Sequence, residues 1–181
     1  MKSVAKILFV VIALAIVSSC KKKDQGNDII VDRVIEKPQE EAVSMSDDVR
    51  SGSVAWVNGS EYSYTITRKT DSELLTVNNH GTVYKDNSIT LVVKRADGSV
   101  FFEKKFTKDN FAPALPKDFK ENGVLLGMNL SKAEGNNLCF AVSVGSPDEN
   151  NEEFYYVQMT LNNFGQTSCS EYRDEERLKR E

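Results

Sequence analysis

The chain is predicted to fold as an all-β domain, either an antiparallel β-sandwich or an open meandering β-barrel of about eight to ten short strands with one short helical turn. Two observations predict this class. Apolar and polar residues alternate with a period of two over a series of short runs, and the runs are separated by local turns rich in Gly, Asn and Asp. No alternation of strands with long helical segments appears, so a parallel sheet is not expected.

The first half of the domain is predicted to contain three hairpins, because each pair of runs is separated by a short connection that accepts the positive φ of a tight turn. They join Val54–Val57 to the run at Tyr62, Tyr64 and Ile66 across Asn58-Gly59, Leu74–Val77 to Thr82–Tyr84 across residues 78–81, and Ile89–Val93 to Val100–Phe106 across Asp97-Gly98.

The alternation of apolar and polar residues stops between Lys108 and Asn122. Pro113 and Pro116 lie there among apolar residues at near-helical spacing, which predicts a loop with a short helical turn covering one end of the core. Alternation then resumes in four runs, around Val124–Leu130, Leu138–Val144, Tyr155–Leu161 and Gln166–Tyr172. All four prolines fall outside the predicted strands, as expected for a residue that cannot donate to a ladder.

Met1 to Cys20 has the pattern of a bacterial lipoprotein signal peptide. Lys2 and Lys6 precede the apolar run Ile7–Val17, which would rise only about 16 Å as a helix, too short for a bilayer core of about 30 Å. Ser18 and Ser19 then place small residues before Cys20, whose thiol would carry the lipid, including palmitate. Several acyl chains make release from a membrane negligible.

Two alternatives remain for this segment, namely an ordinary secretory peptide cleaved after Ala13-Leu14-Ala15 and an uncleaved anchor. The lipoprotein interpretation predicts four parts: a signal peptide at residues 1–19, a lipidated cysteine and flexible tether at 20–52, an all-β domain at 53–172 and a charged tail at 173–181. The apolar patch 29–35 within the tether could instead add a strand to the edge of the domain.

Charge excludes one class of partner. Of the 23 basic side chains, Lys2 and Lys6 lie in the signal peptide, so the remainder carries 21 against 27 acidic ones, a formal charge of −6. This balance argues against nucleic-acid binding. The sequence predicts no cofactor, and the spacing of the cysteines excludes a zinc site of the paired Cys-x-x-Cys kind.

Cys139 and Cys169 remain after lipidation of Cys20. An envelope location permits a disulfide between them. However, the two lie on predicted strands separated by a third strand, which would place them about 10 Å apart, beyond bonding distance. The alternative is two free, small apolar thiols.

Few residues suggest chemistry. His80 is the only histidine and lies in a predicted turn, where a solvated role is expected rather than catalysis. The acidic loop after Pro147 contains Asp148, Glu149 and Glu152, which are weak candidates for calcium binding because their order does not match an EF-hand. No nucleophile, base and orienting group form a recognisable set.

Two aromatic doublets suggest a binding surface. Alternation in a strand must turn one ring of Phe101-Phe102 and one ring of Tyr155-Tyr156 away from the core. Phe101 and Tyr156 are therefore candidate ligand-binding residues, unless another part of the fold covers them. The favoured function is a non-catalytic binding or accessory domain for a protein or polymer ligand, and the alternative is a small envelope hydrolase or ion-dependent enzyme.

Several motifs carry a family resemblance. They are Trp56 with Tyr62, Asp86–Leu91, Arg95–Phe102, Phe106-Thr107-Lys108 and Phe140–Val144. Together they resemble an uncharacterised family of Bacteroidota lipoproteins, domain of unknown function 4738. The resemblance implies an envelope lipoprotein of the outer membrane, on its periplasmic or its surface face. Its motifs consist of hairpin and core residues, so it carries over no functional residues.

Lipidation of Cys20 is directly testable. Cells that express the chain should incorporate radioactive palmitate into it, and the Cys20→Ser variant should lose the label because the acceptor thiol is gone. Cys169→Ser, which keeps Cys20, is the matched control and should label like the wild type. Label in the Cys20→Ser variant, or none in the wild type, would contradict the lipoprotein assignment.

Overall fold

The structure, a computed structural model, describes residues 41–148 and 150–172, which lie in one compact unit. The strands in chain order are β1 (Asp48–Ala55), β2 (Glu61–Thr70), β3 (Thr76–Asn79), β4 (Thr82–Lys85), β5 (Asn87–Arg95), β6 (Val100–Phe106), β7 (Val124–Glu134), β8 (Asn137–Gly145), β9 (Phe154–Asn162) and β10 (Thr167–Glu171). A 3-10 turn (Val57–Gly59), a 3-10 helix (Lys108–Ala114) and one α-helix, α1 (Lys117–Asn122), complete the described elements.

These strands form three antiparallel sheets. The first four-stranded sheet has the order β1-β2-β5-β6, the second has the order β10-β9-β8-β7, and β3 pairs with β4 alone. Residues of both four-stranded sheets share one hydrophobic core, and within the described residues neither sheet closes on itself. The predicted all-β class is therefore confirmed, in its sandwich form.

The core is built by alternation. In β9, Val157, Met159 and Leu161 are at most 1% exposed, whereas the residues between them face outward. Leu91 and Val93 on β5 supply fully buried side chains from the other sheet. Each such side chain contributes roughly 1.5–3 kcal/mol through removal of apolar surface from water, so the alternation also fixes which face of each sheet is inward.

The turns follow the predicted chemistry with one correction. Asn58 and Gly59 both have positive φ, at 56° and 76°, and Gly98 turns β5 into β6 with φ 82°. In the second hairpin, however, the turn residues are His80 and Gly81, whose φ values are 50° and 95°. Residues 78 and 79, assigned to the turn from the sequence, belong to β3, because a two-residue turn with both φ values positive matches the strand twist.

The predicted loop with a helical turn is also confirmed. Thr107 begins the 3-10 helix with a capping box, in which its backbone N–H donates to Asn110 Oδ1 at 2.8 Å. The helix carries Phe111, which is 1% exposed and stacks on Phe106 with ring centroids 5.8 Å apart. This segment therefore closes one side of the core with an aromatic pair.

A buried carboxylate joins the two sheets. Asp86, whose side chain is 6% exposed, accepts hydrogen bonds from the backbone N–H of Asn87 at 2.8 Å and of Leu125 at 2.9 Å. Its second oxygen lies 3.6 Å from Nζ of Lys108, which donates to the carbonyl of Gly123 at 2.6 Å. Since an unpaired buried charge costs several kcal/mol, these partners hold the start of β7 against the start of β5.

Two further polar side chains reinforce this junction. Asn87 donates from Nδ2 to the carbonyl of Leu125 at 2.9 Å. Arg68 on β2 donates to the carbonyl of Leu126 at 2.5 Å and to that of Ser46 at 2.7 Å, using the fork of its guanidinium. Side chains of the first sheet therefore satisfy backbone groups at the start of the second.

Strand structure begins earlier in the chain than expected. β1 starts at Asp48, ahead of the predicted domain boundary at Ser53, and Val43 already exchanges backbone hydrogen bonds with Val83 and Lys85 of β4 at 2.9 and 2.8 Å. Residues 1–40 and 173–181, which include the predicted signal peptide, Cys20 and the predicted tail, lie outside the described residues. None of the helices in the described part of the chain has the length and apolar character needed to cross a membrane.

Removal of the Asp86 carboxylate tests the junction. Asp86→Ala should lower the free energy of unfolding by about 3–5 kcal/mol, because Lys108 would stay buried without its counter-charge and Leu125 N–H would lose its acceptor. Urea unfolding followed by tryptophan fluorescence measures this change. Asp109→Ala, which removes an exposed carboxylate beside Lys108, is the control and should change the value by less than about 0.5 kcal/mol. Equal stability of the two variants would contradict the role assigned to Asp86.

Candidate functional site

A polar cleft of about 270 Å³ lies where the β3–β4 turn, α1 and the end of β8 meet. Among the described residues, its lining is rich in amides and contains two carboxylates, one imidazole and no lysine or arginine: Asn78, Asn79, His80, Gly81, Asp118, Phe119, Asn122, Gly123, Gly145, Ser146 and Glu153. The His80-Gly81 turn brings the tip of the hairpin to this position. The cleft can therefore accept a small neutral or cationic group.

Asn79 organises the cleft. The residue is 7% exposed, and its Nδ2 donates to the carbonyl of Asn122 at 2.9 Å while its Oδ1 accepts from Ser146 Oγ at 2.9 Å. Both ends of the amide are thus engaged, as a buried polar group requires. The sequence did not single out Asn79 or Ser146, because 67 positions separate them and only the fold brings them together.

His80 meets the acidic loop at the rim of the cleft. Its Nε2 lies 3.2 Å from Glu153 Oε2, with both side chains more than half exposed. A hydrolase built on His80 needs a nucleophile in contact with the imidazole. Among residues 41–148 and 150–172, the hydrogen-bond partner of His80 is this carboxylate, so the geometry corresponds to a solvent-exposed contact of small energy.

The other residues of the acidic loop do not converge. Asp148 Oδ1 accepts from the backbone N–H and the side-chain amide of Asn150 at 2.9 and 3.0 Å, and these bonds lower the pKa of Asp148. Glu152 is exposed, and Glu149 lies outside the described residues. In the described part of the chain, no group of three or more His, Cys, Asp or Glu side chains could hold a metal ion.

A second cleft, of about 360 Å³, lies beside β3 and the 3-10 helix. Its lining includes Asp86 and Lys108, which lie 3.6 Å apart and bind the backbone of Leu125 and Gly123. These two charged groups of the cleft are therefore committed to holding the fold together.

The expected outward orientation of Phe101 is wrong. A register shift between Val93 and Lys94 adds a residue to β6 at this point, so alternation no longer places Phe101 on the outer face. The ring instead packs on the core side against Trp56 and Tyr62, with centroid distances of 5.4 and 5.8 Å, and Arg95 lies over it at 5.1 Å. Phe101 is half-buried in an aromatic cluster, in agreement with the alternative that the fold covers it.

Tyr156 does point outward, and it is not alone. Its ring lies 5.2 Å from that of Phe154 and 5.6 Å from that of Tyr172, and the exposed fractions of Phe154 and Tyr156 are 47% and 43%. We call these three residues the aromatic row. Phe154 could have been found from the sequence, because it stands two positions before Tyr156 in an alternating strand.

Phe101 and Tyr156 therefore do not form one site, since they lie on different sheets and on different sides of them. The aromatic row and the polar cleft, by contrast, are adjacent in the chain, because Glu153 at the rim of the cleft precedes Phe154 at the start of β9. A role of Tyr156 in ligand binding stays a prediction.

The two thiols are free and separated by β9. Cys139 on β8 is paired in register with Thr160, whereas Cys169 on β10 is paired with Met159, so the two side chains leave the sheet on opposite faces. The lack of a disulfide follows from this register. Burial raises the pKa of Cys139, and the nearby Glu134 carboxylate raises it further.

An all-β sandwich domain with a small polar cleft and an exposed aromatic row is thus the class of protein that the structure defines. Residues 29–169 match the family described as Domain of unknown function (DUF4738), and the chain belongs to this family. The match begins upstream of the described residues and ends in β10. No curated protein matches the chain.

The two thiols should differ sharply in reactivity. In a chain that carries Cys20→Ser, iodoacetamide at about pH 8 should alkylate Cys169 first and Cys139 more than about tenfold more slowly, because Cys139 is buried and its raised pKa lowers the thiolate fraction. Peptide mass spectrometry over time measures both rates. When Cys139→Ser is added to this chain, Cys169 should be the one remaining thiol and should still react at the fast rate. Equal rates, or alkylation only after reduction, would contradict this arrangement.

Proposed function

We propose that the chain is a lipoprotein of the bacterial outer membrane, held by lipid on Cys20, whose β domain is a non-catalytic binding or accessory module. The lipid anchor is supported by the order of Lys2, the apolar run Ile7–Val17 and Cys20.

The observation that carries the binding role is the aromatic row. Two large rings, Phe154 and Tyr156, are each close to half exposed and touch each other on the outer face of a rigid sheet. Scattered exposed apolar residues are normal on protein surfaces, but contiguous ones mark interaction sites more often. The rings are also held in position by the strand, so binding would immobilise few additional side-chain rotamers.

Phe164 provides an internal comparison. It is 80% exposed at the β9–β10 turn, yet none of the described ring contacts includes it. A single ring on a turn is a common surface feature, whereas a row of contacting rings on a sheet defines a surface with a fixed shape. The two positions can therefore be compared by the same substitution.

Binding to cell envelopes tests this role. The chain from residue 20 with Cys20→Ser, which removes the lipid route to the membrane, should sediment with purified envelopes of cells that express the protein. Tyr156→Ala should weaken this association at least about tenfold, because it removes the central ring. Phe164→Ala, the matched control, should not change it. Equal sedimentation of the two variants, or no association of the parent chain, would contradict a binding role for this surface.

A further inference from the structure

On the outer face of the second sheet, the described cross-strand neighbours of the aromatic row carry no charge. Cross-strand partners share a face, so the register places Ala141 and Ser170 beside Gln158, and Ser143 beside Tyr156. All of these side chains are neutral. On this face of β7, Lys132 and Glu134 form an ion pair at 2.9 Å at the far end of the strand, and Arg50 of β1 donates to the side chain of Asn129 at the edge of the sheet.

The first sheet has a different outer face. Lys94 and Glu103 stand outward there, as does Lys105, which pairs with Asp71 at 2.6 Å. Charged residues make up 28% of the chain, so a largely neutral face is a departure from the rest of this protein. Charge on one sheet and neutrality on the other indicate that the second face suits an uncharged ligand.

The floor beside the rings is made of small residues. Gly145 is opposite Phe154, Ser143 is opposite Tyr156, and Gly127 follows Ser143 on β7. These neighbours have no side chain or a short one, so they leave the rings of Phe154 and Tyr156 47% and 43% exposed. This shape admits an extended ligand lying along the row.

We propose that this face binds a neutral polysaccharide. Sugar rings present apolar C–H faces, which pack on aromatic rings, and hydroxyl groups, which both donate and accept hydrogen bonds. The face offers the matching groups, with the rings of Phe154 and Tyr156 beside the hydroxyls of Ser143 and Ser170 and the amide of Gln158. This inference rests on the proposed binding role of the same surface and names the ligand class.

Two other occupants fit less well. An anionic polymer would require cations, and both Lys132 and Arg50 are already ion-paired, with Glu134 and Asp48 respectively. A stable protein partner, or a second copy of the chain, buries about 800 Å² on each side around an apolar centre. Here the apolar part is confined to one short row, and the remainder carries Ser, Thr, Gln and small residues, which suits a wet and polar contact.

Chemical treatment of the envelopes tests the ligand class. The Cys20→Ser chain from residue 20 should still sediment with envelopes digested by protease and should lose at least about tenfold in association after periodate, which cleaves the vicinal diols of sugars. Association should be unchanged between about 0.05 and about 0.5 M sodium chloride, because no charges are screened. Ser143→Arg, which fills the floor and adds charge while keeping all three rings, should weaken association, and Phe164→Ala should not.

Each other outcome overturns the inference. If the chain no longer associates with protease-treated envelopes but still associates with periodate-treated ones, the surface binds a protein partner, and the proposed binding role stands. If association is lost at high salt, the surface binds a charged ligand. A dimer of the parent chain that becomes a monomer on Tyr156→Ala would assign it to a second copy. No association of the parent chain with untreated envelopes would remove the ligand class and the binding role together.

Discussion

The sandwich depends on one buried carboxylate. Hairpin turns and alternation can build each four-stranded sheet separately, but they do not specify how the two sheets meet. Asp86 does so by binding Leu125 N–H while Lys108 neutralises its charge and binds Gly123. Because each group is satisfied only when both sheets are in place, the contact selects one arrangement of the sheets among those that hydrophobic burial alone would permit.

That arrangement in turn positions the polar cleft and the aromatic row. The position of β7 fixes β8, and β8 fixes β9 through a continuous register from Asn137 to Gly145. The end of β8 forms one wall of the polar cleft, while the start of β9 carries the aromatic row. The cleft is small, and the side-chain amide of Asn79 in it already forms hydrogen bonds through both its nitrogen and its oxygen. The rings of the aromatic row, by contrast, are exposed and have neutral neighbours. The second surface therefore gives the stronger basis for a proposed function.

The pattern of the chain predicted most of the fold. Alternation located the strands, and Asn58-Gly59 and Asp97-Gly98 located turns whose positive φ needs such residues. The misses have physical causes. The second turn consists of His80 and Gly81 alone, since a two-residue turn matches strand twist, and the early start of β1 depends on its pairing with the far end of β2, where Asp48 lies opposite Arg68. A β-bulge inverted the side on which Phe101 lies, and no local pattern signals a bulge.

Local chemistry therefore accounts for the class of fold, for the separation of Cys139 from Cys169 and for the outward position of Tyr156, since each follows from a period of two and a turn. The contact of Tyr156 with Tyr172, the pairing of Asn79 with Ser146 and the contact of Asp86 with Leu125 required the folded chain. These contacts join residues from 16 to 67 positions apart, and their energies depend on burial and register that no short segment contains. The neutral face emerged in the same way, because its residues come from four strands and acquire a common surface only when those strands pair.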